Sequence, residues 1–570
     1  MKTNRNPNEP ISNLEIGTII EVDGTHVVAE LDSSVTDLTR VYGGVIYPIG
    51  QFGSIVKIHF GARLIFGHVG RLRMKSEYER EKGFVSESSS MARIIEADLF
   101  GEGEWLHNAD NDDWALSFER GVTTFPLPQQ KVYLTPRTEL GFIYGRGAGP
   151  VVLLGEHVGS GGTPCYAEMN ELLGKHTAIL GSTGSGKSGT VAAIIHAILD
   201  RGSEPGYEHW NPQIVILDPH NEYGEAFPSH VRLCTDEESL RLPYWLLSLQ
   251  ETIGLLIGKT EYVATSQANI VKTALLAARR EGAVTLGIDA DLISVDSPVP
   301  FSLDRLAHHV DSSTNKPSQA SKQEPWNSVM NKLDVLRNDS RLDFMMTEWD
   351  GSSDSFPDVV MQFLGSSDPI RIVDLSGVPN EVAGAASSAI ARTLFSVKLW
   401  QTREERERNP VLLVCEEAHR YVPNRGEAQY EAAQEAIRRL AKEGRKYGIG
   451  LMLVSQRPSE VEATVLSQCN SWIVLRITND SDRNHVQGIL PDSLAGLTKL
   501  LSGLRRREAI FVGQAAVLPS RVMIRDLVRD RKPLPRSQDI DFDMGWRAEP
   551  IEEEHLKEIG KRWRLQNRNV

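Results

Sequence analysis

The stretch that most restricts the fold is AILGSTGSGKSGTVAAIIHAIL, residues 178–199, where an apolar run, a glycine-rich loop and a second apolar run follow one another directly. Gly181, Gly186, Lys187 and Ser188 fit the phosphate-loop spacing G-x-x-x-x-G-K-[ST]. His176–Leu180 is rich in β-formers and Gly189–Leu199 has helical spacing, so the sequence predicts a loop joining a strand to a helix N-terminus. That setting suits an anion. Backbone N–H groups along Gly181, Ser182, Thr183, Gly184, Ser185, Gly186 and Gly189, with the helix dipole, would face phosphate. Lys187 would reach the β- and γ-phosphates and Ser188 would ligate Mg²⁺, so the expected cofactors are ATP and Mg²⁺. A Gly/Ser-rich turn with a chance match is the bland alternative, and the strand–loop–helix context weighs against it.

At 570 residues the chain has room for roughly three or four domain-sized units. Its formal charge of −14 argues against a surface coated in basic residues, so any nucleic-acid contact must be local, such as a channel lining. The four cysteines, Cys165, Cys234, Cys415 and Cys469, form no C-x-x-C pair, which suits a reducing cytosol and no zinc site. No signal peptide and no apolar run of 18 residues is present, so a cytoplasmic protein without a membrane partner is expected. The polar residues 1–10 read as a disordered N-terminus.

From 11 to about 150 the runs IGTIIEVDGTHVVAELD, GSIVKIHFGARLIFGHVGRL and QQKVYLTP alternate and are broken by glycine, the pattern of a small antiparallel β-barrel. No catalytic constellation lies in it. Assembly or docking suits it better than nucleic-acid binding, because its aromatic and basic residues are not clustered. An α/β core is expected over 151–528, interrupted by helical patterns at about 242–346, with a polar loop at 310–328. In that core the apolar strand Gln213–Leu217 ends in Asp218. Either Asp218 and Glu222 meet metal-bound water at the sheet's C-terminal edge, or Asp218 caps a turn at Pro219.

A second buried strand, Val411–Cys415, ends in Glu416 and Glu417. The first acid is placed to hold Mg²⁺ through water, and the second to orient and deprotonate an attacking water, which favours hydrolysis that powers motion. His419 is either a polar helix-start residue or a transmitter of nucleotide state. A third strand, in GIGLMLVSQRP, places Gln456 where an amide can sense a γ-phosphate. In AIRRLAKEGRKYG, Ile437, Leu440 and Ala441 make an apolar face, whereas Arg438, Lys442 and Arg445 fall on another at i, i+4 and i+7. That basic face is a solvated surface, or it supplies an arginine finger or a DNA contact. Arg505–Glu508, RRRE, reads as a surface turn.

The blocks FERGVTTFPLP, KHTAILGSTGSGKS, ILDPHNEYG, LPYWLLS, VDLSGVP, LLVCEEAHRYVP and EGRKYGIGLMLVSQRPSEV, in order from about 117 to 520, resemble the HerA family within the FtsK–HerA group of DNA motors. The resemblance implies a RecA-like P-loop ATPase core with a helical insertion and a HAS-like N-terminal β-barrel. It further implies a homo-hexamer that translocates double-stranded DNA through a central channel beside a nuclease or other effector, in DNA end processing or genome defence. By motif it gives Lys187 and Ser188 to nucleotide and Mg²⁺, Asp218 to the neighbourhood of metal or water, Glu416 and Glu417 to the acidic pair and Gln456 to the sensor. Arg445 falls in the finger region, and Lys175 precedes the loop where relatives carry a basic residue. Glu416 departs from the aspartate of many such motors, which puts its metal geometry in question.

The extension 529–570 lies outside these blocks and holds a proline-broken linker, an acidic stretch and a short amphipathic helix, either bracing a neighbour or ending in a docking helix. Three functions follow for testing: a DNA-translocating ATPase, an ATP-regulated hexameric scaffold that activates an effector with little translocation, and a protein-remodelling ATPase. The motif set disfavours the last.

Overall fold

The computed structural model describes residues 8–51, 53–83, 91–108, 113–145, 149–158, 162–235, 239–257, 265–312, 323–365, 368–376, 380–424, 431–490, 498–537, 539–547 and 552–565. The expected N-terminal disorder lies outside them up to residue 7, as does the expected polar loop from 313 to 322. Contacts divide the chain into two compact units, Met1–Leu172 with Leu180–Ala197 and Asn470–Asp526, and Leu173–Ile179 with Ile198–Cys469 and Leu527–Val570.

The first unit opens with the strands β1 (Glu15–Asp23), β2 (His26–Leu31), β3 (Thr39–Tyr42), β4 (Val45–Pro48), β5 (Ile55–Phe60), β6 (Arg63–Met74), β7 (Arg93–Asn108), β8 (Asp113–Arg120) and β9 (Lys131–Leu134). The order β2-β1-β9-β5-β6-β7 closes through a β2–β7 pairing into a six-stranded antiparallel barrel, with β8 continuing from β7. Alternation explains it: Ile16, Val27, Val56, Ile58, Ile65, Ile95 and Val132 point into one core. Gly17 is required where the strands draw close, because a Cβ there would meet Glu30 O at 2.2 Å. Lys57 on β5 and Glu139 on the helix Arg137–Ile143 form a buried ion pair at 2.5 Å. Burial raises the Glu139 carboxyl pKa more than the ammonium lowers it.

The same unit holds an antiparallel sheet of β10 (Val151–His157) and β11 (Pro164–Glu168) with three later strands. Those later strands are numbered in chain order after the parallel sheet of the second unit, whose members are β12 (Thr177–Leu180), β13 (Gln213–Asp218), β14 (Val231–Cys234), β15 (Ile370–Asp374), β16 (Val411–Cys415) and β17 (Ile449–Ser455). They are β18 (Ser471–Val474), β19 (Glu508–Gly513) and β20 (Ser520–Ile524), in the order β11-β10-β20-β19-β18. Leu518, just before β20, shares a core cluster with Ile55 and Phe66 of the barrel and Leu116 of β8.

In the second unit the order is β12-β17-β16-β13-β15-β14. The β13–β15, β13–β16, β14–β15 and β16–β17 pairs are parallel. The strands β13, β15, β16 and β17 are buried throughout, which is why they read as continuous apolar runs rather than alternating ones. Counting only β12, β13, β16 and β17, with β14 and β15 added beyond β13, this is the 1-4-3-2 order of a RecA-like core, and it sets the ends of β13, β16 and β17 side by side. Between β14 and β15 come the helices Leu249–Ile257, Thr265–Thr285, Leu303–Asp311, Glu324–Arg337 and Phe356–Leu364, so the helical segment continues past Met346. Buried Glu251 ties it to the core, accepting from Ser388 Oγ at 2.8 Å and Arg392 Nε at 2.9 Å on the helix Asn380–Trp400. The chain ends in the exposed helices Phe542–Arg547 and Glu553–Leu565.

Candidate nucleotide site

The loop after β12 and the helix Lys187–Asp200 form in the first unit, the helix starting at Lys187, two residues before its expected start at Gly189. Gly184 (φ 72°) and Gly186 (φ 103°) adopt the left-handed conformations that turn successive N–H groups inward, which glycine reaches without strain. At Gly181 an added Cβ would lie 2.7 Å from Ser185 Oγ and 2.9 Å from Leu475 Cβ, so the loop is packed against its surroundings at that point. Lys187 is buried with its ammonium 3.3 Å from Ser182 O, inside the curl of the loop. Ser188 is half-buried on the first turn of the helix.

The loop is held by backbone bonds from a distant part of the chain. Ser182 N donates to Arg476 O at 2.9 Å and Arg507 N to Ser185 O at 3.0 Å. Thr478 N donates to Ser182 Oγ at 3.1 Å. Arg507 itself has φ 66°, and its guanidinium pairs with Asp526 at 2.9 Å. The run Arg505–Glu508 is therefore not merely a surface turn: Glu508 is fully buried at the start of β19, and Arg507 abuts the glycine loop. The local sequence could not show this, because the β19–β20 hairpin rather than any short-range pattern delivers Arg507.

The acids form in the second unit. Glu416 and Glu417 follow β16 directly and are both buried. Glu416 Oε2 accepts a hydrogen bond of 2.6 Å from the Tyr223 hydroxyl. Burial first, and the Glu416 charge next, hold the Tyr223 phenol well above its ordinary pKa, so it stays the donor. Glu417 sits in the left-handed region (φ 54°, ψ 51°). Its Oε1 accepts from the Gln456 amide and its Oε2 lies 3.2 Å from His419 Nδ1. Burial lowers the His419 pKa against the opposing pull of Glu417, so His419 is neutral near pH 7. The structure thus brings Gln456 and His419 together at Glu417.

Asp218, at the end of β13, spends its carboxylate on the following turn. Oδ1 accepts from His220 N at 3.2 Å, and Oδ2 from Glu222 N at 2.8 Å and Tyr223 N at 3.0 Å. Burial pushes its pKa up to about 6 despite those donors. This is the turn-capping geometry, with buried Glu222 inside the same turn. Tyr223 was not singled out in the sequence. The signal is one aromatic residue within the polar run Asp218–Gly224 after a buried strand.

The basic face does not form as one surface. The helix Glu431–Glu443 ends before Arg445, which is exposed on the 3₁₀ turn Gly444–Tyr447. Arg438 pairs with Glu462 at 2.7 Å, and only Lys442 keeps the expected exposed helical position. The helix tightens into the 3₁₀ turn at Gly444, and this moves Arg445 off the α-helical stripe. Lys175, half-buried, precedes His176, whose Nδ1 accepts from Leu451 N at 3.0 Å.

The residues fit nucleotide and Mg²⁺ chemically. In the first unit the loop presents donors and an ammonium for phosphate and the Ser188 hydroxyl is an oxygen donor of the kind Mg²⁺ prefers; in the second unit the Glu416 carboxylate is a donor of the same kind. All four cysteines are buried free thiols. Among the described residues no helix is long and apolar enough to cross a membrane.

Residues 152–394 match the family model described as the central domain of helicase HerA. The chain is 27% identical over 432 residues to a probable helicase of Methanocaldococcus jannaschii, covering 72% of this chain and 76% of that protein. It is 28% identical over 403 residues to the DNA double-strand break repair helicase HerA of Sulfolobus acidocaldarius, covering 70% and 73%. Among solved structures, VirB4 of Thermoanaerobacter pseudethanolicus aligns over 68% of this chain and 99% of its own at 16% identity, with a TM-score of 0.48. With the glycine loop, the RecA-like strand order and the paired acids, the chain is a P-loop ATPase whose residues 152–394 match the central domain of helicase HerA.

Proposed function

We propose that this chain hydrolyses ATP to translocate double-stranded DNA as a homo-hexameric ring, beside a nuclease or other effector in DNA end processing or genome defence. The observation that carries the hydrolytic part is Glu417: a buried carboxylate on left-handed backbone, steered at one oxygen by Gln456 and at the other by His419. Left-handed backbone costs a non-glycine residue free energy, and strain of this kind clusters at active sites. Names of relatives identical at about a quarter of the aligned positions, helicases of double-strand break repair among them, support the DNA part.

In this reading the loop N–H groups and Lys187 bind the phosphates of ATP, with Lys175 adding positive charge ahead of the loop. Ser188 and, through water, Glu416 would hold Mg²⁺, which when bound supplies charge neutralisation on the phosphates. Glu417 orients the attacking water and takes its proton, Gln456 reports the γ-phosphate through the bond it shares with Glu417, and Arg445 completes the pocket of a neighbouring subunit. Asp218 shapes the turn beside the acids. The barrel, about 11–150, serves as the docking platform for the effector, the core spans 151–528 and the extension 529–570 serves assembly.

The test is ATP turnover with and without linear duplex DNA, with Lys187→Ala as the control for the site. Stimulation by duplex DNA supports the motor. Turnover indifferent to DNA would overturn translocation, and effector activation persisting in that case would favour the ATP-regulated scaffold.

A further inference from the structure

The acid Glu416 carries one methylene more than an aspartate, and so one more torsion to be fixed before its carboxylate can serve a site. We propose that Tyr223 is the positioning residue that removes this freedom, and that Asp218 acts on the site through Tyr223. The inference rests on the assignment of Glu416 to the nucleotide site.

The geometry is contained in one loop. The Tyr223 hydroxyl donates to Glu416 Oε2 at 2.6 Å, and the residue is fully buried, its ring parallel to that of Phe227 at 6.5 Å between centroids. A buried phenol that donates to a carboxylate makes a charge-assisted hydrogen bond with little freedom on either side. The loop that carries the ring is fixed twice. At its start Asp218 accepts from the N–H groups of His220, Glu222 and Tyr223. Just before Tyr223, Glu222 O accepts from Arg536 N at 2.8 Å, a bond made by the C-terminal extension. The turn from Asp218 to Tyr223 is thus fixed at both ends, with one hydroxyl reaching one carboxylate oxygen. The Asp218 carboxylate, which could otherwise be read as a second metal-side acid, is the clamp at the base of that arm.

Two substitutions should break the same bond from opposite ends. Tyr223→Phe removes the hydroxyl and keeps the ring. Glu416→Asp withdraws the carboxylate by about 1.5 Å, one carbon–carbon bond, which takes a 2.6 Å contact beyond hydrogen-bonding distance. The experiment titrates Mg²⁺ against binding of a fluorescent ATP analogue to the full chain, repeats the binding in EDTA, and follows thermal unfolding. For Tyr223→Phe the Mg²⁺ concentration at half-effect should rise about tenfold, the size of one such bond, with affinity in EDTA and the unfolding midpoint little changed. Tyr223→Phe in the Glu416→Asp background should then add little, because the bond is already gone.

An unchanged Mg²⁺ dependence in Tyr223→Phe overturns the proposal. So does an equal loss in EDTA, which would make the hydroxyl a general structural support, and so do additive effects in the double variant. Should the wild-type chain itself bind nucleotide without regard to Mg²⁺, the assignment of Glu416 fails instead, which is a separate result.

Discussion

Replacing Glu417 by glutamine separates catalysis from folding. The residue is 3% exposed and its backbone lies at φ 54°, ψ 51°, a conformation that costs a non-glycine residue about 1–2 kcal/mol and is held by its surroundings. Glutamine keeps the volume, the backbone cost and an oxygen for the Gln456 amide, so packing is little disturbed. What it removes is the proton acceptor. General-base assistance contributes about 10²–10⁴ in rate, or roughly 3–5.5 kcal/mol of barrier at about 1.4 kcal/mol per tenfold. The variant also exchanges a buried charge for a neutral amide, which avoids desolvation of an ion, so its unfolding midpoint should equal or exceed that of wild type. The assay pairs steady-state phosphate release with thermal unfolding and with binding of a fluorescent ATP analogue. Turnover should fall at least a hundredfold with nucleotide binding intact and no loss of stability. Turnover within tenfold of wild type would refute the assignment. A large fall in stability would instead show that the left-handed residue is held by the hydrogen bonds its carboxylate accepts.

Arg445→Ala should bind ATP but hydrolyse it slower by about 10³-fold or more if Arg445 acts in trans. Rings mixed from Arg445→Ala and Lys187→Ala subunits should then recover part of the turnover, and rings shown to be mixed without recovery would count against a trans finger. At the loop, Arg507→Gly relieves φ 66° and keeps the N–H that bonds Ser185 O, so nucleotide affinity should hold, whereas Arg507→Pro removes the donor and should lower affinity in equilibrium binding. In the barrel, Lys57→Ala or Glu139→Ala leaves one buried ion without its partner and should lower stability by about 3–5 kcal/mol. The double variant Lys57→Met/Glu139→Leu should recover much of that loss in chemical or thermal unfolding, and equal losses from single and double variants would contradict the pairing.

The sequence by itself determined the elements whose signal is short-ranged. Alternation in 15–31 and 55–74 specifies barrel strands because a pleated strand turns every second side chain to the core. Continuous apolar runs ending in Asp218, in Glu416 and just before Gln456 specify buried parallel strands, and the spacing of Gly181, Gly186 and Lys187 specifies the loop, since a few consecutive backbone angles suffice to build it. Tertiary structure decided the rest, because it depends on which distant segments the sheets bring together. Tyr223 reaches Glu416 across 193 positions, and Arg507 reaches Ser185 only because its hairpin folds back on the loop. Asp218 could face a metal or cap a turn until three N–H groups closed on its carboxylate. The helical stripe of Arg438, Lys442 and Arg445 was legible as a period, but the α-helix ends at Glu443 and the 3₁₀ turn from Gly444 took Arg445 off that face.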